Sequence, residues 1–496
     1  MVPFVTVPGQ WHSIEALPID VAKQRSARLV ALANQWTAER DFLRQQGAES
    51  RLVEQMKNRM AVETGVIEGL YALDRGVTET LIAEGFSSSL LTNADTNKDP
   101  QLVIAILRDQ REAIDFMFEV VKRQRPLTTS VVKEMHWLLT GHQPTTTAMD
   151  QFGNLSEVEL IRGDWKAVPN NPTRPDGSVH AYCPPEQVAS EMDRLVDLYT
   201  QYESIGVAPE VLAAWLHHRF TQIHPFQDGN GRVARLLASI VFIKAHWHPL
   251  VVLRDDRVAY IDALEKADAG DLKDLISLFA SWQTRAFVMA LGASQATEAQ
   301  PLSTHLDDVL AGLKDRLAAQ EGAPKASNLD DVADLLVTVA ERAAEQLALK
   351  ITDSLRDALP GLTATVTVNS PDRAQAYKGP RIDLARSSGF FADFTRGSRW
   401  VRVVIRPTRS GPAATLLVAT SALGTSLGSL AVVSGLITTD PETERAHTAK
   451  VCEDYFVATV QDLQTDEAKQ RLQSQFDEWV TQSLVIGLAQ WQRDLG

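Results

Sequence analysis

The stretch HPFQDGNGRVARLL, His224 to Leu237, limits what this chain can become more than any other. A turn dense in Asp, Gly and Asn runs straight into two arginines and an apolar segment. The dipeptides DG and NG are strong hairpin signals. A hairpin, however, needs alternating strands on both sides, and here both flanks carry apolar residues at the helical three-to-four spacing. A calcium loop is also a poor fit, because the acidic residues it needs before and after Asp228 and Asn230 are absent. The stretch reads as helix, glycine-rich turn, helix.

That arrangement has a chemistry. The start of a helix leaves backbone N–H groups without partners, all aimed at one spot, which suits an anion. Gly229 and Gly231 let the backbone approach closely. Asn230 is expected to add a side-chain donor. Arg232 and Arg235 share a face of the first turn, and arginine grips phosphate oxygens as a fork. Asp228 is a hard oxygen ligand suited to Mg²⁺ beside a nucleotide's phosphates. His224 is the candidate general base. Phe226 is read as pinning the loop, with Leu236, Leu237, Ile240 and Val241 anchoring the helix behind it.

Helical periodicity dominates up to about residue 298, and a lapse around GASQATEAQPLST marks a boundary. The expected division is a helical N-terminal region over 1–115, a catalytic core over 116–298 and a C-terminal α+β domain over 299–496. The last of these begins with the long amphipathic run NLDDVADLLVTVAERAAEQLALKITDSLRDAL. Strands are expected in GLTATVTVN, RWVRVVIRP, TLLVAT and SLAVVSGLIT, and a helical run from about Glu442 to the end. VELIRGDW is read as a short strand and DGSVHAY as one arm of a hairpin. No charge occurs from Ser410 to Thr439, but glycine, serine and threonine interrupt the stretch, so buried strands fit it better than a membrane span. The N-terminus lacks the basic and apolar regions of a secretory signal. Net charge is −14, which argues against bulk nucleic-acid or anionic-membrane binding. The only cysteines, Cys183 and Cys452, offer neither a disulfide scaffold nor a zinc spacing, so the expected compartment is the reducing cytoplasm.

The pattern His-x-Phe-x-Asp-Gly-Asn-Gly-Arg-x-x-Arg resembles the signature of Fic-domain proteins at every fixed position. VVKEMHWLLTG is similar to an early core helix of that family, HAYCPPEQVASEMDRLV to the segment after its flap, and DDRVAYIDALEKADAGDLKDLISLF to its last core helices. The resemblance covers about residues 60–285. It implies a mainly α Fic-fold core with a flap hairpin, and transfer of AMP from ATP, with Mg²⁺, to a Ser, Thr or Tyr hydroxyl of a target protein, the chain itself among the candidates. In that reading His224 deprotonates the hydroxyl and Asp228 holds Mg²⁺. The Gly229–Gly231 amides, with Asn230, form the anion hole, Arg232 steadies the phosphates and Arg235 takes the γ-phosphate.

TGVIEG, Thr64 to Gly69, would by itself be a glycine-punctuated helix with an exposed glutamate. Beside the motif it resembles the family's inhibitory helix, here around residues 62–72, in the class with an N-terminal brake. Thr64, Glu68 and Gly69 match its pattern, and Glu68 is expected to pair with Arg235. Two other readings stand alongside AMP transfer. One is AMP removal, with Glu68 orienting water. The other is a nucleotide-sensing regulator with vestigial catalysis, whose C-terminal domain carries the output. Oligomeric state stays open. His217, His218, His246 and His248 are read as packing residues rather than a zinc site, while Tyr260 and Trp247 border the adenine or belong to the core. Basic residues cluster from Arg373 to Arg409 in an otherwise acidic chain. They read as a solvated sheet face, or as a dock for an acidic protein partner.

Overall fold

The computed structural model describes residues 11–298 and 327–494, apart from 46–47, 88–89, 93, 150–154, 174–178, 357–358, 370–376, 391, 395, 408–412, 424–427, 440–445 and 453–454. Two compact units emerge. One holds the described residues up to Ser26 with Glu49–Arg285, and the other holds Ala27–Ala48 with the described residues from Ala286 onward. Nothing in the periodicity of Ala27–Gln45 signals that this helix belongs to the second unit. The boundary expected around residues 292–304 runs into 299–326, which lie outside the described residues.

In chain order come α1 (Ile19–Ala22), α2 (Ala27–Gln45), α3 (Ala48–Ile67), α4 (Arg75–Glu84), α5 (Pro100–Lys122) and α6 (Thr129–Leu139). The hairpin β1 (Thr145–Met149) and β2 (Leu155–Glu159) follows, then α7 (Pro185–Ser204), α8 (Pro209–Ile223), α9 (Asn230–Lys244), α10 (Arg257–Asp268) and α11 (Lys273–Glu298). The first unit is built around α8 and α9. Both are buried on nearly every side, from Val211 to Phe220 and from Val233 to Phe242, as expected of helices enclosed by other helices. Their neighbours start where the sequence provides caps. Thr128 accepts a hydrogen bond from Val131 N at 3.2 Å, and Asp99 caps α5 with Pro100 at its first position.

The hairpin lies upstream of where the sequence suggested it. Thr145↔Glu159 through Met149↔Leu155 pair antiparallel, and VELIRGDW is strand only at its first two residues. Residues 176–178 of DGSVHAY lie outside the described residues, and its described part carries one bridge, Thr173↔Val179. The described residues of the hairpin are mostly solvent-facing, so no alternating apolar pattern existed to reveal it.

His217 of α8 is buried and accepts the Tyr260 O–H at 2.7 Å. Burial, then the nearby charges of Arg235 and His218, hold its imidazole well below the ordinary range. The folded state therefore binds fewer protons than the unfolded chain below the ordinary histidine pKa of about 6.5. The stability this neutral histidine contributes is complete above that value and is lost as pH falls toward the lowered folded value. A cost of up to about 1.4 kcal/mol per pH unit is expected in that window. Urea midpoints at pH 7.5 and 5.5 measure it, and a smaller drop in His217→Gln than in the parent identifies the residue.

The second unit is an antiparallel sheet in the order β3 (Thr363–Val368), β4 (Trp400–Arg406), β5 (Ala414–Leu423), β6 (Ser429–Thr439) and β7 (Ala446–Lys450), with β8 (Phe456–Thr459) also pairing β6. Val401, Val403 and Ile405 alternate onto one face and share a core with Leu336 and Val339 of helix Ser327–Leu355 and with Phe476 and Val480 of helix Asp466–Asp494. The uncharged stretch forms β5 and β6, paired from Ala414↔Thr438 to Leu423↔Ser429. Among the described residues no helix is long and apolar enough to cross a membrane.

The helical run expected from Glu442 begins only at Asp466, because β7 and β8 pair along β6 first. Helix α2 packs into this unit, where Gln35 donates to Leu423 O at 2.7 Å and Arg28 lies 4.7 Å from the Phe456 ring centroid. The basic cluster is largely engaged inside the unit. Arg381 is buried over Phe394, Arg402 lies over Tyr377, and Arg399 reaches Asp330 and Asp334. Arg373 and Arg409 lie outside the described residues.

Candidate active site

Helix α8 ends because His224 turns left-handed, at φ 52°, and closes the helix with its N–H on Phe220 O at 2.9 Å. The His224 Nδ1 lies 3.2 Å from Thr221 O. A carbonyl can only accept, so Nδ1 carries the proton and the Nε2 lone pair is left for chemistry. Burial, then Lys166, push the imidazole down to about 3, so it is neutral at physiological pH.

The loop 225–229 is pinned from several sides. Phe226 is fully buried and stacks on His136, with centroids 3.8 Å apart and planes 4° from parallel. His136 Nε2 donates to Asp228 O at 2.9 Å, and its Nδ1 accepts Gly163 N–H at 2.9 Å. Asn230 departs from expectation. Its side-chain oxygen accepts Phe226 N–H at 2.9 Å and its amide donates to Phe226 O at 2.8 Å. That side chain closes the loop instead of facing an anion. The donors that remain are backbone ones. The first bond of α9 runs from Val233 N to Gly229 O, so the N–H groups of Asn230, Gly231 and Arg232 precede the ladder. Gly229, at φ +82°, makes the turn that aims them.

The two arginines have different surroundings. Arg232 is buried and donates to Gln143 Oε1 at 2.7 Å, and Gln143 Nε2 in turn donates to Asp228 Oδ2 at 2.5 Å. Burial works to raise the Asp228 carboxyl, but Arg232, Gln143 and the Gly229 N–H outweigh it and hold the group below the usual carboxylate range. An ionised carboxylate, 37% exposed beside an array of N–H donors, fits a hard divalent cation that takes its other ligands from phosphate and water. No cluster of three or more His, Cys, Asp or Glu side chains among the described residues could hold a metal unaided.

Arg235 is buried and already engaged. It donates to Glu68 Oε1 at 2.6 Å and to Thr64 Oγ1 at 2.5 Å. A Cβ added to Gly231 would strike the Glu68 carboxylate, so this acid rests directly on the first turn of α9. Thr64 is in α3, and Glu68 follows the helix end. Gly69, at φ +67°, completes a Schellman cap in which Gly69 N bonds Val66 O at 3.0 Å and Leu70 N bonds Gly65 O at 3.0 Å. Gly69 is thus the residue that ends the helix where Glu68 can reach Arg235. Gly69→Ala is expected to cost about 1 kcal/mol through the left-handed φ alone, read as a lower urea midpoint, with Gly69→Asn costing less.

His136, Gln143, Lys166, Asn170 and Tyr182 also form the site and were not singled out from the sequence. They come from α6 and from loops, where no spacing links them to the motif. A buried histidine on the apolar face of VVKEMHWLL was the one available signal. Tyr260 and Trp247 both belong to the core, and Tyr260 lies beside Arg235 as well as His217.

Residues 126–242 match the model of the Fic/DOC family. The chain is 33% identical over 161 residues to "Protein adenylyltransferase Fic" of Nematostella vectensis, covering 32% of this chain and 33% of that protein. It is 28% identical over 137 residues to "Protein adenylyltransferase fic-1" of Caenorhabditis briggsae, covering 28% of this chain and 25% of that one. The matches thus span a quarter to a third of these curated relatives. A Fic-domain signaling protein of Bacteroides thetaiotaomicron aligns over 53% of this chain and 97% of its own, at 23% identity and a TM-score of 0.44. The loop, α8 and nearly all of α9 fall in the stretch that matches the Fic/DOC family model, so the chain contains a Fic domain there.

Proposed function

We propose that the chain transfers AMP from ATP to a hydroxyl of a target protein, and that the state described here is the braked one. One observation carries this reading. Glu68 covers the first turn of α9 and occupies Arg235, while His224 keeps a neutral imidazole with its Nε2 uncommitted.

In the released state the triphosphate takes the place of the Glu68 carboxylate, against the N–H groups at the start of α9, with Arg232 and Arg235 on its phosphates. Asp228 would hold Mg²⁺, which when bound would supply neutralisation of the phosphate charge. His224 Nε2 removes the target hydroxyl's proton, and the oxygen attacks the α-phosphorus. The bond from that phosphorus to the bridging oxygen breaks, AMP stays on the target, and pyrophosphate leaves. The protein's work is positioning and charge stabilisation. The two cysteines, both free, fit a cytoplasmic setting.

The test uses the parent, Glu68→Gly and Glu68→Gly/His224→Ala with Mg²⁺ and ATP labelled at the α- or the γ-phosphate. Protein-bound α-label that requires both removal of Glu68 and presence of His224 supports the reading. Transfer of γ-label would replace it with a kinase-like one. The alternative reading is removal of AMP, with Glu68 orienting a water on an AMP-modified hydroxyl. Release of AMP from a pre-modified protein by the parent, and not by Glu68→Gly, would favour removal as the main direction.

A further inference from the structure

The hydroxyl-activating histidine is held by more than its own loop. Tyr182, just before α7, stacks on the His224 imidazole with centroids 3.8 Å apart and planes 8° from parallel. Its backbone is fixed in turn, since Tyr182 N donates to Asn171 Oδ1 at 2.9 Å. Lys166 approaches from the loop after β2. Its backbone N–H donates to Pro225 O at 2.8 Å, on the residue that follows His224. Its side chain is buried, with Nζ on Asn170 Oδ1 at 2.8 Å and 5.7 Å from the centroid of the Tyr182 ring. Asn170 completes the brace by donating to Phe226 O at 2.9 Å.

We infer that Tyr182 and Lys166 are positioning residues for the general base. Tyr182 holds the plane of the imidazole, and Lys166 bolts the His224–Phe226 backbone to the flap side of the site while keeping a cation beside the ring. The inference rests on His224 being the base, as proposed above.

An unstacked imidazole at a helix end would sample several ring orientations. Only the one with Nδ1–H on Thr221 O leaves Nε2 directed to the reacting hydroxyl. A flat ring in van der Waals contact removes the others before substrate arrives, the kind of preorganisation that an acid–base step needs. The buried ammonium disfavours a second positive charge nearby, so it also keeps the ring unprotonated. The other groups bearing on His224 are the Thr221 carbonyl and Asp228, which favour protonation, and His180, which opposes it. His180 packs edge-on against Tyr182 at 4.8 Å and lies 3.8 Å from Asp268.

The experiment follows the His224 ring signals by NMR in the full chain carrying Glu68→Gly, assigned by their loss in His224→Ala. The same proteins are assayed for AMP transfer and ATP affinity. With Tyr182 and Lys166 intact, His224 is expected not to titrate between pH 8 and 5. Tyr182→Ala should bring its midpoint toward the ordinary value of about 6.5 and lower kcat about tenfold or more with ATP affinity unchanged, while Tyr182→Phe retains both properties. Lys166→Met should raise the midpoint too, and Lys166→Arg should not. An unchanged His224 titration and kcat in both Tyr182→Ala and Lys166→Met overturns the inference. So does a loss in Tyr182→Phe as large as in Tyr182→Ala. The NMR arm needs no turnover. A raised midpoint in Tyr182→Ala without AMP transfer by Glu68→Gly would count against the proposed function and leave the brace standing.

Discussion

Glu68→Gly is expected to raise the initial rate of AMP transfer roughly 10- to 150-fold, read as α-label incorporated into protein at subsaturating ATP. The magnitude follows from the bond that is lost. A hydrogen bond from a buried guanidinium to a carboxylate contributes about 1.5–3 kcal/mol, and each 1.4 kcal/mol is about a tenfold change in rate. In the parent, Arg235 is 2% exposed and Glu68 29%, so the pair is shielded on the arginine side and water screens it only in part. On the proposed function, ATP has to displace this contact before its terminal phosphate meets Arg235.

The same substitution carries a cost that provides a second measurement. Without Glu68 the buried Arg235 keeps its bonds to Thr64 and its contact with Tyr260 but loses its carboxylate partner, and an under-compensated buried charge is destabilising. The nucleotide-free variant is therefore expected to melt below the parent, and Mg²⁺ with ATP should restore the difference, because the phosphate supplies the missing anion. Glu68→Gln, which keeps a weaker acceptor, should fall between the two. An active parent, or a Glu68→Gly variant that binds ATP yet transfers no faster, would sink the brake.

His224→Ala in the Glu68→Gly background is expected to lower kcat by about 10²–10⁴-fold, the usual range for loss of a general base, with ATP affinity within about twofold. Affinity should survive because the groups assigned to the phosphates lie on α9 and not on His224. The pH dependence carries a sign. A base works when unprotonated, and His224 is pushed down to about 3, so kcat/KM, which reports the free enzyme, should show no acid limb from this group between pH 5 and 8. The negative charge of a bound triphosphate favours the imidazolium, so the limb in kcat should lie above that in kcat/KM. A kcat/KM that falls below pH 6.5 through an ordinary imidazole, and loses that limb in His224→Ala, would contradict the environment described.

Much of the site could be read along the chain because its parts are local. His224, Asp228, Gly229, Gly231, Arg232 and Arg235 lie within one loop and one helical turn, where backbone geometry dictates what neighbours what. The helical spacing read before the turn is helix α8, which Pro209 opens and the turn closes. Glu68 was found by resemblance, and the contact itself spans 167 residues, a distance no periodicity can bridge. The Asn230 side chain was misjudged because a short amide can donate outward or close its own loop, and only the position of the Phe226 backbone decides between them.

The sequence by itself determined the helix–turn–helix at residues 209–244, its unpaired N–H groups and the charges beside them, since these follow from glycine, capping and helical period. Only the tertiary structure decided how the Glu68 carboxylate rests on the first turn of α9, which residues hold His224 in one orientation, and that β7 and β8 pair along β6 before the last helix begins. Those contacts join segments remote in the chain, and their pairing is set by packing and hydrogen-bond satisfaction across the fold, which no local pattern encodes.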